Sequence, residues 1–370
     1  MHAQLDLSVR PSCVAAPLIA SPKNRRSTLE RMPKWLICIP LVLQWIWLAL
    51  RYRSATLPSA ANPAITSGGL VGEGKLEYFR GMGAVARAAT AAHCAISTQS
   101  LPSNQALLQI MTSAGLSFPI IAKPDLGLCG YGVRRIDNLA ELHTYLAAFP
   151  INETVVLQQY LPQEGEAGIF YVRDPHSDVG SIVGLALRYF PRVMGDGHRS
   201  VAELVHADVR ACRVLGSVKH ECLLANTRVP DEGESVRLST VGSTRVGGLY
   251  RDGGSYISLQ LTAAIDAIAR DMPDFYCGRF DVRFDNLQAL NAGKGFTIME
   301  INGAGSEAIQ AWDPTIGLIK AFRMIFAKQR LMFEIGDARR RDGVAPIGLM
   351  ALARLNWRQQ RLIARYPPSN

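Results

Sequence analysis

Paired cysteines are what this chain most clearly lacks. Its seven cysteines (Cys13, Cys38, Cys94, Cys129, Cys212, Cys222 and Cys277) are odd in number, and no two stand in CxxC spacing. That argues against a disulfide framework or a zinc site and favours a reducing compartment. No repeat of fixed period occurs. Zinc-finger spacing, an aromatic RNA-binding stripe and a basic zipper are all absent, so the formal charge of +9 does not point to nucleic acid. Much of that excess sits near the ends. Arg25, Arg26, Arg31, Lys34, Arg51 and Arg53 lie at one end, and Arg339, Arg340, Arg341, Arg354, Arg358, Arg361 and Arg365 at the other. An acidic membrane surface or a phosphorylated ligand suits such a balance. Charged residues make up 19% of the chain and apolar ones 48%, which fits a globular protein of one to three domains.

Long apolar runs are also scarce. There is one, "WLICIPLVLQWIWLAL", Trp35 to Leu50. It is shorter than the roughly 20 residues that span a bilayer. Pro40 and Gln44 interrupt it, and both flanks are basic. No small-residue cleavage site follows, which argues against a removable signal peptide. Two readings stand side by side. Three tryptophans suit a peripheral contact with the inner face of a membrane, on an otherwise cytoplasmic protein. The plainer reading is a buried helix packed on the main domain. Residues before Met32 read as unstructured, with Met32 as an alternative start.

The remaining chain alternates between helical and strand patterns. "LPSAANPAITSGGLVGEGK" after Arg53 reads as an extended, loop-dominated stretch. Helical periodicity runs from Leu76 to Ile96 and from Asn104 to Gly115, and again in "NLAELHTYLAAF", "RSVAELVHADVRAC", "LTAAIDAIARDM" and the long "TIGLIKAFRMIFAKQRLMFE". Strands are expected at "FPIIAK", "TVVLQQYL", "AGIFYVRD", "GSIVGLALRYF", "GRFDVRFD" and "GFTIMEIN". The class is α+β with mostly antiparallel pairs.

Three stretches carry chemistry. In "GRFDVRFD" alternate residues share a face, so Phe280, Val282 and Phe284 lie opposite Arg279, Asp281, Arg283 and Asp285. Taken alone, the polar face is equally well a solvated one. "FTIMEINGAGSEA" is apolar enough to be buried, yet it ends in Glu300 and Asn302, two apart on one face. A buried carboxylate is costly unless it is paired or holds a metal. The short, turn-rich link "NLQALNAGKG" makes the two strands a hairpin that sets Asp281 beside Glu300 and Asn302. Their hard oxygens suit Mg²⁺, and a structural pair is the bland alternative. In "PIIAKPDLGLCGYGV" Lys123 ends an apolar strand, and Gly127, Gly130 and Gly132 let backbone N–H groups turn toward an anion. The order of lysine and glycines is neither that of a GKS/GKT phosphate loop nor that of a dinucleotide fingerprint.

With these stretches in hand, residues 75–328 resemble the ATP-grasp enzymes, in the region of D-alanine–D-alanine ligases and related carboxylate–amine ligases. "FPIIAKPDLGLCGYGV", "LQQYLPQEGEAGIFYV", "GRFDVRFD" and "MEINGAGSEA" carry the likeness, and "VMGDGHRSVAELV" is similar to segments of cyanophycin and glutathione synthetases. The resemblance implies two α+β lobes clamping ATP. It implies that Lys123 touches the ATP phosphates under a flexible lid from Gly127 to Gly132, with Lys75 as the first phosphate lysine. Tyr160 and Leu161 match the hinge that reads adenine through its backbone. Glu166 matches the acid that holds the ribose hydroxyls, with Glu164 as a rival. Asp281, Glu300 and Asn302 match the Mg²⁺ ligands, and Arg279 the arginine that stabilises the charged intermediate. The hinge departs from the family's Glu-Lys at Gln158 and Gln159. Cys129 replaces a Ser or Gly of the lid and reads as a small residue only.

The expected organisation is a tail, apolar segment and linker over residues 1–70, an ATP-grasp domain over 71–335 with its lid lobe at about 118–190, and a basic tail over 336–370. The α/β unit that usually precedes the first lysine is largely missing, and the apolar segment occupies its place. The expected activity is ATP- and Mg²⁺-dependent joining of an amino-acid-like carboxylate to an amine. A hydroxyl-phosphorylating kinase and a non-catalytic, membrane-associated nucleotide binder are the alternatives. Arg192 and Arg245 are candidates for phosphate contacts, though solvated arginines are commoner, and His198 reads as a loop histidine. Gly303 and Gly305 either let backbone N–H groups meet a substrate carboxylate or simply turn the chain. The "RLNWRQQRLIAR" segment reads as an exposed basic helix.

Overall fold

The computed structural model describes residues 26–216 and 227–369, so residues 1–25 and Cys222 lie outside the described residues. Helices α1 (Thr28–Arg31), α2 (Lys34–Arg51), α3 (Lys75–Phe79) and α4 (Ala84–Ala88) precede strand β1 (His93–Ser97). Then follow α5 (Asn104–Ser113), β2 (Ile120–Pro124), β3 (Arg134–Ile136), α6 (Leu139–Ala147), β4 (Thr154–Gln159), β5 (Gly165–Val172), β6 (Ser181–Tyr189) and β7 (Arg192–Met194). The chain closes with α7 (Val201–Ala207), β8 (Ser235–Arg237), β9 (Leu249–Asp252), α8 (Leu259–Arg270), β10 (Cys277–Phe284), α9 (Leu287–Asn291), β11 (Phe296–Asn302), α10 (Leu318–Arg341) and α11 (Leu349–Ile363).

Two antiparallel sheets carry the architecture. The smaller has the order β1-β4-β2-β3, the larger β11-β10-β5-β6-β9. Alternation along the strands decides what each sheet buries. Ile120, Ala122, Val155 and Leu157 pack with Leu107, Met111 and Leu142 of α5 and α6. Phe280, Val282 and Phe284 pack with Leu261, Ile265 and Ile268 of α8. Side-chain caps start these helices, with Ser103, Asn138 and Ser258 each accepting a bond from a first-turn N–H. The α+β class and the apolar N-terminal helix agree with the sequence reading.

Several elements differ from expectation. The helical pattern from Leu76 to Ile96 breaks at Gly81, which has φ +70°, and its last residues become β1 because Cys94 and Ile96 pair with Leu157 and Val155. The smaller sheet draws its strands from residues 93–159, while β5 and β6 join β10 in the larger sheet. Residues 26–31, expected to be unstructured, are ordered. Ser27 and Glu30 form a capping box, and Glu30 is enclosed by Arg210 and Arg213 at 2.6 and 2.9 Å. Helix α10 continues to Arg341, beyond the boundary expected at 335. Strand β11 is half-buried rather than wholly buried, because it lies at the end of its sheet.

The stretch after Arg53 is irregular, as expected, but it is buried. Asn62, 0% exposed, fixes it: its amide donates to the carbonyls of Gly68 and Cys277 and accepts from the N–H groups of Tyr276 and Cys277. One side chain thus replaces a strand of backbone pairing at the end of β10. Asn62→Ala should cost about 3–5 kcal/mol, because it leaves several buried backbone groups unpaired. Urea unfolding at unchanged m-value measures this, and a loss below about 1 kcal/mol would mean that the loop is held by its apolar contacts instead.

Candidate active site

The hairpin of β10 and β11 opposes Asp281 to Glu300 and Arg279 to Asn302, as the sequence spacing implied. The register shifts between Asp281 and Val282, so Met299 falls outside the paired positions. Its carbonyl accepts a bond from Lys123 Nζ at 2.8 Å. Lys123 ends β2 in the smaller sheet, so this bond crosses between the two sheets. Gln158 Oε1 holds the same amine at 2.7 Å. Lys75 Nζ lies 3.4 Å from Glu300 Oε1, and its backbone N–H bonds to Asp125 just beyond Lys123. The two lysines and the Glu300 carboxylate therefore meet at the seam of the sheets. Burial pushes Lys123 down to about 8, against the pull of Glu300.

The polar face of β10 is not solvated. Asp281, 1% exposed, receives Arg279 in a two-pronged pair at 2.7 and 3.0 Å, Arg188 at 3.2 Å, and the Asn302 amide at 3.2 Å. Burial alone would raise its pKa, but the guanidinium groups of Arg279 and then Arg188 outweigh that and hold the carboxyl below the ordinary range. Arg188 also pairs with Glu166 at 3.1 Å, and Arg283 closes on the other oxygen of Glu166 at 3.3 Å. The strand between has Gly168 opposite Asp281, where a Cβ would come within 3.1 Å of the carboxylate. Glycine there makes room for the arginines to reach it.

Oxygen donors of this kind suit a hard divalent cation. Glu300 and the free carbonyl oxygen of Asn302 fit that role. A carboxylate has about four acceptor positions, and in Asp281 three N–H donors crowd Oδ2 while Arg279 alone reaches Oδ1, so Oδ1 is the oxygen with room for a further partner. Among the described residues, no three His, Cys, Asp or Glu side chains gather as a metal cluster.

Gly130 and Gly132 have φ of +75° and +72° and turn the loop after β2. Its carbonyls are held from outside. Tyr366 donates to Leu126, Gln359 to Gly127, Ser369 and Arg245 to Gly130, Arg245 to Cys129, and Tyr145 to Gly132. The C-terminal segment is thus a strap over the loop, not a free basic tail, and Arg245 is a loop-holding residue that lies over the Tyr131 ring. Cys129 stands exposed on this loop, its carbonyl held by Arg245.

The other expected residues are more dispersed. Tyr160, stacked under Arg135, and Leu161 link the two sheets. Glu166 is walled in, for a Cβ at Gly242 would lie 3.0 Å from its oxygen, whereas Glu164 is 60% exposed beside Arg192 and Arg237. Of the two acids, Glu164 is the one open to a sugar hydroxyl. His198 sits in a turn closed on Asp196. Gly303 and Gly305 serve backbone packing: the N–H groups of Ala304 and Gly305 donate to Gly68 and Gly69 at 3.1 and 2.6 Å. They are not free for a substrate carboxylate.

Sequence reasoning missed Arg188, Lys328 and Glu73. Arg188 is a lone charge in "GLALRYF", and that oddity was its signal. Lys328 reaches from α10 to the carbonyls of Ala304 and Ser306, and burial pushes it down to about 8. Burial pushes the Glu73 carboxyl up to about 7, against Lys75, so it exchanges a proton near neutrality.

No family model matches the chain, and no curated protein matches it in sequence. Solved structures similar to it include a bifunctional glutathione synthetase from Pasteurella multocida, 16% identical with a TM-score of 0.34, covering 69% of this chain and 36% of that one. A D-alanine–D-alanine ligase from Bacillus anthracis is 13% identical with a TM-score of 0.42 over 75% and 71% of the two chains. A D-cycloserine synthetase is 14% identical with a TM-score of 0.36 over 71% and 70%. All three are ATP-grasp ligases. The chain spans about a third of the length of the glutathione synthetase. Likenesses of this size decide nothing about the reaction.

The charge pairs of β10 make a prediction of their own. A carboxyl held below its unfolded pKa stabilises the fold above about pH 4, and that contribution is lost as pH falls further. Asp281→Asn leaves the buried Arg279 without its carboxylate partner and Arg188 with Glu166 alone, and should cost about 3 kcal/mol at pH 7. Its difference from the wild type should shrink in acid below about pH 4. A constant difference across that range would show that the pairing contributes no stability.

Proposed function

We propose that this chain is an ATP- and Mg²⁺-dependent ligase of ATP-grasp type, joining a small carboxylate to an amine through an acyl phosphate. The observation that carries the reading is the meeting of Lys75 and Lys123 with Glu300 at the seam of two antiparallel sheets. Residues 71–335 form the catalytic unit in this reading, and α11 with the strap completes it over the glycine loop.

The γ-phosphate of ATP passes to the substrate carboxylate. An amine then attacks the acyl carbon, phosphate leaves, and the amine's proton passes to the departing phosphate or to solvent. Lys75 and Lys123 neutralise phosphate charge, and the loop from Gly127 to Gly132 excludes water. Tyr160 and Leu161 receive the base through their backbone, and Glu164 or, after rearrangement, Glu166 receives the sugar. Glu300 and Asn302, with Asp281 beside them, would hold Mg²⁺, which would supply further charge neutralisation. Arg279, oriented by Asp281, faces the oxyanion that forms when the amine attacks. A kinase acting on a hydroxyl forms no such oxyanion.

Two measurements test this. With ATP and the right carboxylate, hydroxylamine should capture an acyl phosphate as hydroxamate, and Glu300→Gln should lower its formation at least about a hundredfold in a folded protein. A stable phosphorylated product without hydroxamate would favour the kinase. Second, Lys123 holds its charge only below about pH 8. The terminal phosphate of ATP is fully ionised there, so nucleotide affinity should weaken as pH rises through about 8. Lys123→Met should remove that step, and an unchanged profile in the variant would refute the assignment.

A further inference from the structure

Helix α2 is the one helix among the described residues that is long and apolar enough to cross a bilayer. It is neither buried nor free. Ile37 and Leu48 are its buried residues, and its inner edge is tied along α10. Gln44 donates to the Phe326 carbonyl at 2.8 Å, and Gln329 to Leu41 at 3.4 Å. Trp45 donates to Ala55 at 3.0 Å and meets Phe333 edge-on. Arg340 holds the Tyr52 carbonyl at 2.8 Å. Pro40, which the sequence suggested as an interruption, sits inside the helix without ending it. These ties run along the middle and the end of α2, so it cannot leave the domain to span a membrane without breaking them.

Its outer edge is a continuous apolar stripe. Trp35, Ile39, Val42, Leu43, Ile46 and Leu50 follow helical spacing and are 46–74% exposed. Among the described residues nothing covers them. Lys34 and Arg31 stand exposed at one end, and Arg51 and Arg53 at the other, with no acidic residue from Arg31 to Arg53. Tryptophans stand near both ends, Trp35 and Trp47, the latter under Arg51. The stripe is about 23 Å long. Apolar length, terminal tryptophans and cations, and the lack of acids fit the boundary of an anionic bilayer.

We propose that α2 lies in the plane of an anionic membrane surface, docking the domain by its outer edge while its inner edge stays on α10. The proposal does not depend on the chemistry of the nucleotide site. The test uses the full chain and vesicles of phosphatidylcholine with phosphatidylglycerol. The chain should sediment with these vesicles, less with phosphatidylcholine alone, and alkaline extraction should release it. Tryptophan emission should shift to the blue on mixing. Leu43→Glu with Leu50→Glu, at positions 63% and 74% exposed, should leave the unfolding midpoint unchanged and lower partition at least tenfold. Failure of the wild type to sediment, or equal partition of the double variant, overturns the proposal. So does resistance to alkaline extraction, which would mean that α2 spans. A vesicle-independent dimer that the double variant dissolves would assign the stripe to a second copy of the chain instead.

Discussion

Five charges with almost no water govern the larger sheet. Asp281 and Glu166 are bridged by Arg188, with Arg279 and Arg283 at the two ends. Removing such ions from water costs several kcal/mol each unless every partner is in place. The three strands β10, β5 and β6 must therefore sit in one register, because a slip of one residue turns each charge to the opposite face. That register also sets Glu300 against Asp281 across the hairpin, and so fixes where the seam with the smaller sheet falls. The candidate site inherits its geometry from this row of pairs.

How much of this could be read in advance follows from the range of each interaction. The β10–β11 hairpin and the opposition of Asp281 to Glu300 were legible, because the period of two and a short link determine them locally. The lysine before the glycines was legible for the same reason. What could not be read depends on distant partners. Glu166 looked available until Arg283, 117 positions later and directly across the strand pair, enclosed it. Gly303 and Gly305 looked like substrate contacts, yet a loop more than two hundred residues earlier takes their neighbourhood. β5 has the same apolar character as β4, and pattern alone does not say which sheet a strand joins; pairing with β10 puts it in the larger one. The plain reading of α2 as a buried helix was half right: one edge is covered, and the remainder is not.

The lysine at the seam has an unusual position. Lys123 is bonded to one side chain from its own sheet and one carbonyl from the other. An arriving anion competes with both. The energy it gains at the amine is offset by two hydrogen bonds that it must replace, each worth on the order of 1 kcal/mol net. In the proposed reading, release of these two bonds and nucleotide binding become a single equilibrium.

The strap over the glycine loop has a consequence for biosynthesis. Leu126, Gly127 and Gly130 are held by Tyr366, Gln359 and Ser369, the loop near the first third of the chain and its holders at the very end of the described residues. During synthesis from the N-terminus, both sheets can assemble while the carbonyls of Leu126 and Gly127 still have no donor from the strap. The loop is latched only after the last helix and the residues beyond it have left the ribosome. Premature termination within that segment would thus release a chain with its sheets complete and its loop unfastened.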